Sequence, residues 1–154
     1  MNTVTVSASK TYDILISPGI LSELGSRVRS LGKAQKVCLV SETSVYPLWG
    51  EIARSSLENA DFDVCAYVFP AGEESKNGGN LLKLLNFLAE NGLTRSDIIV
   101  ALGGGVTGDM AGFAAATYQR GIPFIQVPTT LLAAVDSSVG GKTAIDLETG
   151  KNQA

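Results

Sequence analysis

The sequence predicts an α/β fold, a doubly wound and largely parallel sheet that follows an N-terminal β-hairpin. Short apolar segments alternate along the chain with segments of helical periodicity. Residues 98–102 are apolar throughout, which is typical of a strand covered on both faces. The 154 residues, 45% of them apolar, suffice for one core but not for two comfortable domains. We therefore expect a single domain over residues 1–154.

The strands are predicted from short alternating or apolar runs bounded by turn residues. The hairpin strands are expected at residues 3–8 and 12–16, with a polar turn at residues 9–11. The strands of the main sheet are expected at residues 36–40, 62–69, 98–102 and 124–127.

Helical periodicity predicts three amphipathic helices between these strands. The residues expected on their buried faces are Leu21, Leu24, Val28 and Leu31, then Trp49, Ile52, Ala53 and Leu57, and finally Leu81, Leu84, Leu85 and Leu88. A fourth helix, made of small residues, is expected around residues 111–118. Residues 128–154 are predicted to be rich in loops, with a short strand at 144–147.

Composition and charge narrow the classes of function. The net charge is −3 and no basic stripe occurs, so we expect no nucleic-acid partner. No apolar run approaches the roughly 18 residues of a membrane span, and the start lacks the features of a secretory signal. Cys38 and Cys65 fall in predicted buried strands, as reduced thiols of a cytoplasmic protein would. Because histidine is absent, we expect no metal ligands here, and chemistry must depend on Asp, Glu, Lys, Arg and backbone amides.

A glycine-rich segment, residues 103–109, lies between a predicted strand and a predicted helix. Gly103, Gly105 and Gly108 satisfy G-x-G-x-x-G, a pattern that lets backbone amides approach a pyrophosphate. The segment follows a late strand, and the next strand ends in proline and threonines rather than in a ribose-binding acid. An ordinary Rossmann dehydrogenase is therefore disfavoured. A tight turn whose glycines serve helix packing remains an open alternative, as does a dipole-stabilising role for Asp109.

Other polar segments also suggest binding. Glu73 and Lys76 lie in a turn where they could meet ribose or phosphate, or be merely solvated. Asp136 stands where a phosphate-binding P-loop requires glycine, so the NTPase interpretation is rejected. With Lys142, Asp136 could instead orient a hydroxyl-rich substrate, unless the two form only a surface ion pair. Arg120 is either a cation at a helix end or a phosphate clamp.

Several separated blocks together resemble the 3-dehydroquinate synthase family. They read Ala-Gly-Glu-Glu-Ser-Lys, Gly-Gly-Gly-Val-Thr-Gly-Asp-Met-Ala-Gly, Pro-Thr-Thr-Leu-Leu, Asp-Ser-Ser-Val-Gly-Gly-Lys-Thr and Gly-Lys-Asn. The resemblance covers essentially the whole chain. It implies a Rossmann-like, NAD-binding N-terminal domain, and it implies that a helical, zinc-binding C-terminal domain is absent and that the chain is cut at Ala154.

The resemblance also implies the site residues. The nucleotide would be held by Glu42, Glu73, Lys76, Gly104, Gly105, Val106, Thr107, Gly108, Asp109, Thr129, Thr130, Lys142 and Lys151. Asp136, Lys142, Lys151 and Asn152 would face the nicotinamide and the substrate. Arg120 would bind substrate phosphate across the interface of a homodimer. Asp146 departs from the family pattern, in which Asn is expected.

The activity implied is the conversion of 3-deoxy-D-arabino-heptulosonate 7-phosphate, a phosphorylated keto acid, into 3-dehydroquinate and phosphate in the shikimate pathway. NAD would act as a transient hydride carrier, and zinc or cobalt as a Lewis acid with ligands outside this chain. The chain alone is therefore expected to be inactive. Open alternatives are a deoxyinosose- or valiolone-type cyclase, a polyol or iron-dependent alcohol dehydrogenase, and a free-standing nucleotide-binding module.

Overall fold

The computed structural model describes residues 1–7 and 10–154, and it contains two sheets. An antiparallel hairpin pairs β1 with β2, and a parallel sheet has the strand order β4-β3-β5-β6. The strands are β1 Asn2–Ser7, β2 Thr11–Ile16, β3 Lys36–Glu42, β4 Asp63–Phe69, β5 Ile98–Gly103 and β6 Phe124–Pro128. The predicted fold class is confirmed. Ala8 and Ser9, expected in the first strand and its turn, lie outside the described residues.

Within the described residues, four α-helices cover the two faces of the parallel sheet. They are α1 Leu24–Ser30, α2 Tyr46–Glu58, α3 Gly78–Glu90 and α4 Gly105–Thr117. Short 3₁₀ turns lie at Ile20–Glu23, Glu73–Ser75 and Tyr118–Arg120, and a π-helical turn lies at Ala133–Ser137. None of the helices in the described part of the chain has the length and apolar character needed to cross a membrane.

The core divides into two apolar clusters because neighbouring residues of a strand point to opposite faces. Cys38 and Val40 of β3 belong to the cluster beneath α3 and α4. Val37 and Leu39 belong to the cluster beneath α1 and α2. All six residues of β5 are buried, which explains why its sequence is apolar without alternation.

The buried face of α2 differs from the prediction. Trp49 and Ile52 are 46% and 44% exposed, while the helix buries Gly50, Ala53 and Leu57. The reason is the close approach of α1 and α2: a Cβ on Gly25 would lie 1.9 Å from the backbone oxygen of Ser56. Small residues therefore occupy this contact, and the large aromatic ring is turned outward.

Three further predictions need correction. Leu31 follows the end of α1 and is 70% exposed instead of buried. Residues 144–147 form no regular strand, because Asp146 makes only an isolated bridge with Asn77 and Leu147 one with Gly150. Cys38 is buried as predicted, but Cys65 is only partly buried, and both thiols are free.

Candidate functional site

The candidate site lies at the edge of the sheet where the four parallel strands end. β3 ends at Glu42, β5 at Gly103 and β6 at Pro128, so the segments that follow them meet at one edge. Thr129 donates its backbone N–H to the carbonyl of Gly103 at 3.0 Å, which extends the pairing of β5 and β6. Ligands of doubly wound sheets bind at this edge.

The segment 103–109 is a strand-to-helix junction rather than a long loop. Gly103 ends β5, Gly104 is the N-cap, and residues from Gly105 onward are helical, earlier than predicted. The first intrahelical bond runs from the Gly108 N–H to the Gly104 carbonyl at 3.0 Å. Because glycine has no side chain that could cap α4, the amides of the first turn remain available to an anion.

The glycines of this junction serve two different purposes. A Cβ on Gly108 would lie 2.6 Å from Gln126 Oε1 on β6, so glycine lets this side chain pack against α4 without moving. A Cβ on Gly105 would lie 3.3 Å from Ser137 Oγ, which leaves a narrow space in front of the first-turn amides. The packing interpretation thus holds for Gly108, while Gly105 keeps a space open.

Thr107 contributes to this junction in a way its sequence position did not predict. Its side chain is buried and approaches Gly103, where a Cβ would lie too close to Thr107 Oγ1. Within residues 1–7 and 10–154, this oxygen has no hydrogen-bond partner. The Thr107 hydroxyl therefore serves packing, and its backbone amide is what the residue could offer a ligand.

Lys76 is the centre of a polar cluster beside α4. Its side chain is 5% exposed, and Nζ lies 3.0 Å from Glu73 Oε1 and 3.1 Å from Asp109 Oδ2. Nζ also donates to Asn152 Oδ1 at 2.7 Å, and Lys151 Nζ lies 3.8 Å from the same Glu73 oxygen. The structure therefore brings together five residues that were predicted from distant parts of the chain.

Burial and pairing compete in setting the protonation of this cluster. Burial disfavours the charged ammonium, but the hydrogen bonds to Glu73 and Asp109 outweigh it and raise the pKa of Lys76. For Asp109, burial prevails over the attraction of Lys76, so the pKa of this carboxyl is raised. Lys76 is accordingly a permanent cation at neutral pH.

The remaining predicted residues lie at different distances from the cluster. Glu42 ends β3, where its carboxylate accepts the Ser44 N–H at 2.9 Å and the Ser44 hydroxyl at 2.7 Å. Thr130 Oγ1 accepts the Ala133 N–H at 3.1 Å and so begins the helical turn that carries Asp136. Asp136 and Lys142 are exposed on the segment after β6.

Arg120 is the predicted residue that the structure keeps away from the junction. It lies beyond the C-terminal end of α4, whose 13 residues separate it from Gly104 by about 20 Å of helix. Its backbone has φ 67, next to Gln119 with φ 48 and Gly121 with φ 112. Arg120 is exposed there, so within one copy of the chain it does not join the Lys76 cluster.

Asp146 contacts the Lys76 cluster, which the sequence did not reveal. It lies 3.6 Å from Lys76 Nζ and accepts the Asn152 N–H at 2.8 Å, which lowers the pKa of Asp146. The sequence signal for this contact is Gly150, which permits a short turn. The turn brings Asn152 back to Asp146, six positions earlier.

The described residues contain no group of side chains that could hold a metal ion. Among residues 1–7 and 10–154, no three Asp, Glu, His or Cys side chains come together as a metal site. The residues present therefore do not fit a zinc ion, and we assign no chemical step to a metal on this chain.

Comparisons with known proteins agree with this architecture. Residues 66–154 match the family model for the N-terminal part of 3-dehydroquinate synthase. The 3-dehydroquinate synthase of Streptococcus suis (strain 05ZYH33) is 49% identical over 150 residues, which are 97% of this chain and 42% of that protein. The chain thus spans about two fifths of the length of this relative.

Two solved structures share the fold. The crystal structure of 2-deoxy-scyllo-inosose synthase with carbaglucose-6-phosphate, NAD+ and Co2+ matches 99% of this chain and 42% of its own, with a TM-score of 0.91 and 31% identity. ValA, the 2-epi-5-epi-valiolone synthase of Streptomyces hygroscopicus subsp. jinggangensis 5008, with NAD+ and Zn2+ bound, matches 98% of this chain and 41% of its own, with a TM-score of 0.82 and 26% identity.

The fold and its strand-to-helix junction define a Rossmann-like α/β domain of the sugar phosphate cyclase class. Within that class, the family model distinguishes one member. The chain belongs to the 3-dehydroquinate synthase family and corresponds to its N-terminal part.

Proposed function

We propose that residues 1–154 are the NAD-binding N-terminal domain of a 3-dehydroquinate synthase. The observation that carries this proposal is the open first turn of α4, which Asp109 joins to the Lys76 cluster at the carboxyl edge of the sheet. Further support comes from the 49% identical relative and from the NAD+ present in both cyclase structures.

In the whole enzyme, the proposed reaction converts 3-deoxy-D-arabino-heptulosonate 7-phosphate into 3-dehydroquinate and phosphate. When bound, NAD supplies the reversible acceptance of a hydride from a substrate hydroxyl. Zinc or cobalt would belong to the whole enzyme, with ligands that residues 1–7 and 10–154 do not bring together. This chain is therefore proposed to bind the nucleotide without catalysing the reaction alone.

The nucleotide-binding roles follow from the geometry of each group. The backbone amides of Gly105, Val106 and Thr107 suit the pyrophosphate, because they lie in the positive first turn of α4. Glu73 and Glu42 offer carboxylate acceptors to ribose hydroxyls. The remaining groups proposed to line the nucleotide are Gly104, Gly108, Asp109, Lys76, Thr129, Thr130, Lys142 and Lys151.

The substrate side would be formed by groups that remain accessible. Lys151 has 72% of its side chain exposed, so its ammonium can meet a substrate oxygen while Glu73 orients it. Asp136, Lys142 and Asn152 are proposed to face the same region. We propose that Arg120 binds the phosphate of a substrate in the site of the partner subunit of a homodimer. Its distance along α4 keeps it away from the site of its own copy.

The proposed setting is the cytoplasm, with no nucleic-acid or membrane partner. The free thiols of Cys38 and Cys65 suit a reducing compartment. The mixed charges of the chain, with a net value of −3, offer no basic stripe to a phosphate backbone.

A second candidate is a cyclase that acts on another phosphosugar, and the TM-score of 0.91 with the inosose synthase favours it. The higher identity of 49% with a 3-dehydroquinate synthase, against 31% for the inosose synthase, gives the first proposal more weight. Phosphate release from each substrate by the complete enzyme, with NAD and zinc supplied, separates these candidates from a dehydrogenase and from a non-catalytic module.

The nucleotide proposal is tested by titrating the 154-residue chain with NAD in a calorimeter. We expect weak binding, about millimolar, because one side of a cleft holds only part of the cofactor. Gly105→Ala should weaken binding by ~10-fold or more, since its methyl group occupies the space before the first-turn amides. The same substitution should not destabilise α4, because alanine favours helices over glycine by about 1 kcal/mol.

Gly32→Ala is the matched control, because no atom lies within 4 Å of the added methyl group. The proposal fails if folded wild-type protein gives no heat with NAD, or if Gly105→Ala and Gly32→Ala bind NAD equally well. Turnover by residues 1–154 alone would refute the need for the second domain.

A further inference from the structure

Asp146 connects the last described segment of the chain to the Lys76 cluster. Its backbone N–H donates to the Lys76 carbonyl at 2.8 Å, and its Oδ1 accepts the Asn152 N–H at 2.8 Å. Between these residues, Leu147 and Gly150 exchange two backbone hydrogen bonds of 3.0 and 3.1 Å. Residues 146–152 therefore form a closed turn whose two ends are held by one carboxylate.

The backbone of Asn152 requires such support. Its φ of 54 lies in the left-handed region, which costs a residue with a Cβ roughly 1–2 kcal/mol, although asparagine tolerates it better than most. This conformation accompanies the short bond from Lys76 Nζ to Asn152 Oδ1, at 2.7 Å. A hydrogen bond to an ionised acceptor is about twice as strong as a neutral one, so Asp146 can hold Asn152 there.

The ammonium of Lys76 has three acceptor oxygens within 3.1 Å. Two of its protons form hydrogen bonds to Asn152 Oδ1 and Asp109 Oδ2, and Glu73 Oε1 is an ion-pair partner at 3.0 Å. Because Lys76 is buried, losing Asn152 would leave one of these protons unpaired away from water. The ammonium would then shift, and Glu73 and Asp109 would lose their common partner.

We propose that Asp146 is a positioning residue of the nucleotide site: through the turn ending at Asn152 it holds Lys76, and thereby Glu73 and Asp109, in place. This inference rests on the proposed function, because it takes the cluster to be part of the NAD site. Asp146 does not itself need to touch the nucleotide. Its Oδ1 lies 3.6 Å from Lys76 Nζ, so the hydrogen bond to Asn152 is its principal contact.

The test compares Asp146→Asn with Asp146→Ala in the 154-residue chain. The asparagine keeps an oxygen that can accept the Asn152 N–H, whereas alanine removes it. Calorimetric titration with NAD should give affinity within about threefold of wild type for Asp146→Asn and ~10-fold weaker for Asp146→Ala, the loss of about one hydrogen bond. Glu148→Ala and Glu148→Gln, exposed positions in the same turn, should bind as wild type does.

A second measurement does not depend on the nucleotide. Hydrogen exchange followed by NMR should show the Asn152 amide protected in the wild type and in Asp146→Asn. In Asp146→Ala it should exchange ~10-fold faster or more, while the amides of β5 keep their wild-type rates and so report an intact core.

The outcomes distinguish the two claims. If wild type and Asp146→Ala bind NAD equally well, the positioning role is wrong and the proposed function stands. If wild type does not bind NAD, the proposed function fails and takes this role with it, whatever the exchange data show. If Asp146→Asn loses as much affinity as Asp146→Ala while its Asn152 amide stays protected, the charge acts directly and the inferred route through the turn is overturned.

Discussion

At the scale of the residue, Asp97 shows what a buried carboxylate contributes when both of its oxygens are paired. Oδ1 accepts the backbone N–H of Gln35, just before β3, at 3.2 Å and that of Lys36, at the start of β3, at 2.9 Å. Oδ2 accepts the Thr94 N–H at 2.7 Å and the Thr94 hydroxyl at 2.8 Å. Burial alone would raise the pKa of Asp97, but these hydrogen bonds outweigh it and lower the pKa.

Asp97→Ala is expected to lower the free energy of unfolding at neutral pH by about 2–4 kcal/mol, because it removes the acceptor of four hydrogen bonds, three of them from backbone N–H groups. Since the native pKa is depressed, the stabilisation by the charge is fully present above the unfolded-state value of ~3.9. It is lost as the pH falls through the lower native value.

Urea unfolding of wild type and Asp97→Asn between about pH 7 and pH 2.5 measures this effect, with the exposed Glu90→Gln as control. The difference in stability between wild type and Asp97→Asn should shrink in acid. A difference that stays constant over the whole range would contradict the assignment.

Residue patterns predicted part of the candidate site, and the limits have a physical origin. Glu73, Lys76 and Asp109 could be expected near one another because they follow strands that end at the same edge. The hydrogen bond from the Asn152 N–H to Asp146 could not be predicted, because it depends on a left-handed backbone at Asn152, which asparagine only tolerates. The separation of Arg120 from the cluster depends on where α4 begins, which the residue types did not reveal.

At the scale of the element, two helices end in the same way with different residues. At the end of α3, Leu93 donates to the Leu88 carbonyl at 3.1 Å and Gly92, with φ 65, donates to Ala89 at 3.0 Å. At the end of α2, Phe62 donates to Leu57 at 3.3 Å and Asp61, with φ 62, donates to Glu58 at 2.9 Å. Both are Schellman motifs, which favour glycine at the left-handed position.

Asp61→Gly is therefore expected to stabilise the protein by about 0.5–1 kcal/mol, because glycine adopts this conformation without steric cost. Gly92→Ala should destabilise it by a similar amount. Thermal unfolding checks both, with a rise of ~1–4 °C expected for Asp61→Gly.

Asn59→Gly is the matched control, since its φ of −65 gives glycine no advantage, and it should lower the melting temperature. Equal shifts for Asp61→Gly and Asn59→Gly would show that the left-handed backbone is not the cause.

Helices with a regular apolar periodicity were predicted more accurately than helices without one. α3, with regularly spaced leucines, buries Leu81, Leu84 and Leu88 as expected. The start of α4 was placed six residues too late, because Gly105, Gly108 and Gly112 are poor helix formers. Packing overrides this propensity: a Cβ on Gly112 would lie 2.3 Å from Thr143 Cγ2, so the glycine admits the chain that crosses over α4.

At the scale of the whole molecule, the two-layered core follows from the strands that sequence reasoning located. The four strands of the parallel sheet were each expected within one or two residues of their observed bounds, because each is a short apolar run bounded by turn residues. The order of these strands in the sheet, with β5 between β3 and β6, could not be predicted from the sequence and is seen in the structure. That order sets α4 and the Lys76 cluster side by side, which makes one site from segments more than 70 residues apart.

The register of β3 and β4 places Cys38 directly beside Cys65. The interaction between these neighbouring thiols raises the pKa of the Cys38 thiol well above its usual range, with burial acting in the same direction, and it lowers the pKa of Cys65. Thiolates react with disulfide reagents and thiols do not, so the partly exposed Cys65 should react first. Cys38 can react only when the sheet opens.

A coloured disulfide reagent should therefore modify the native protein in two phases, and Cys65→Ser should abolish the fast one. The slow phase of Cys38 should quicken with urea in parallel with global unfolding, and two equally fast thiols would refute this. In Cys65→Ser, stopped-flow absorbance of the released dye would then time how often the strands that bury Cys38 separate, with no probe attached to the protein beforehand.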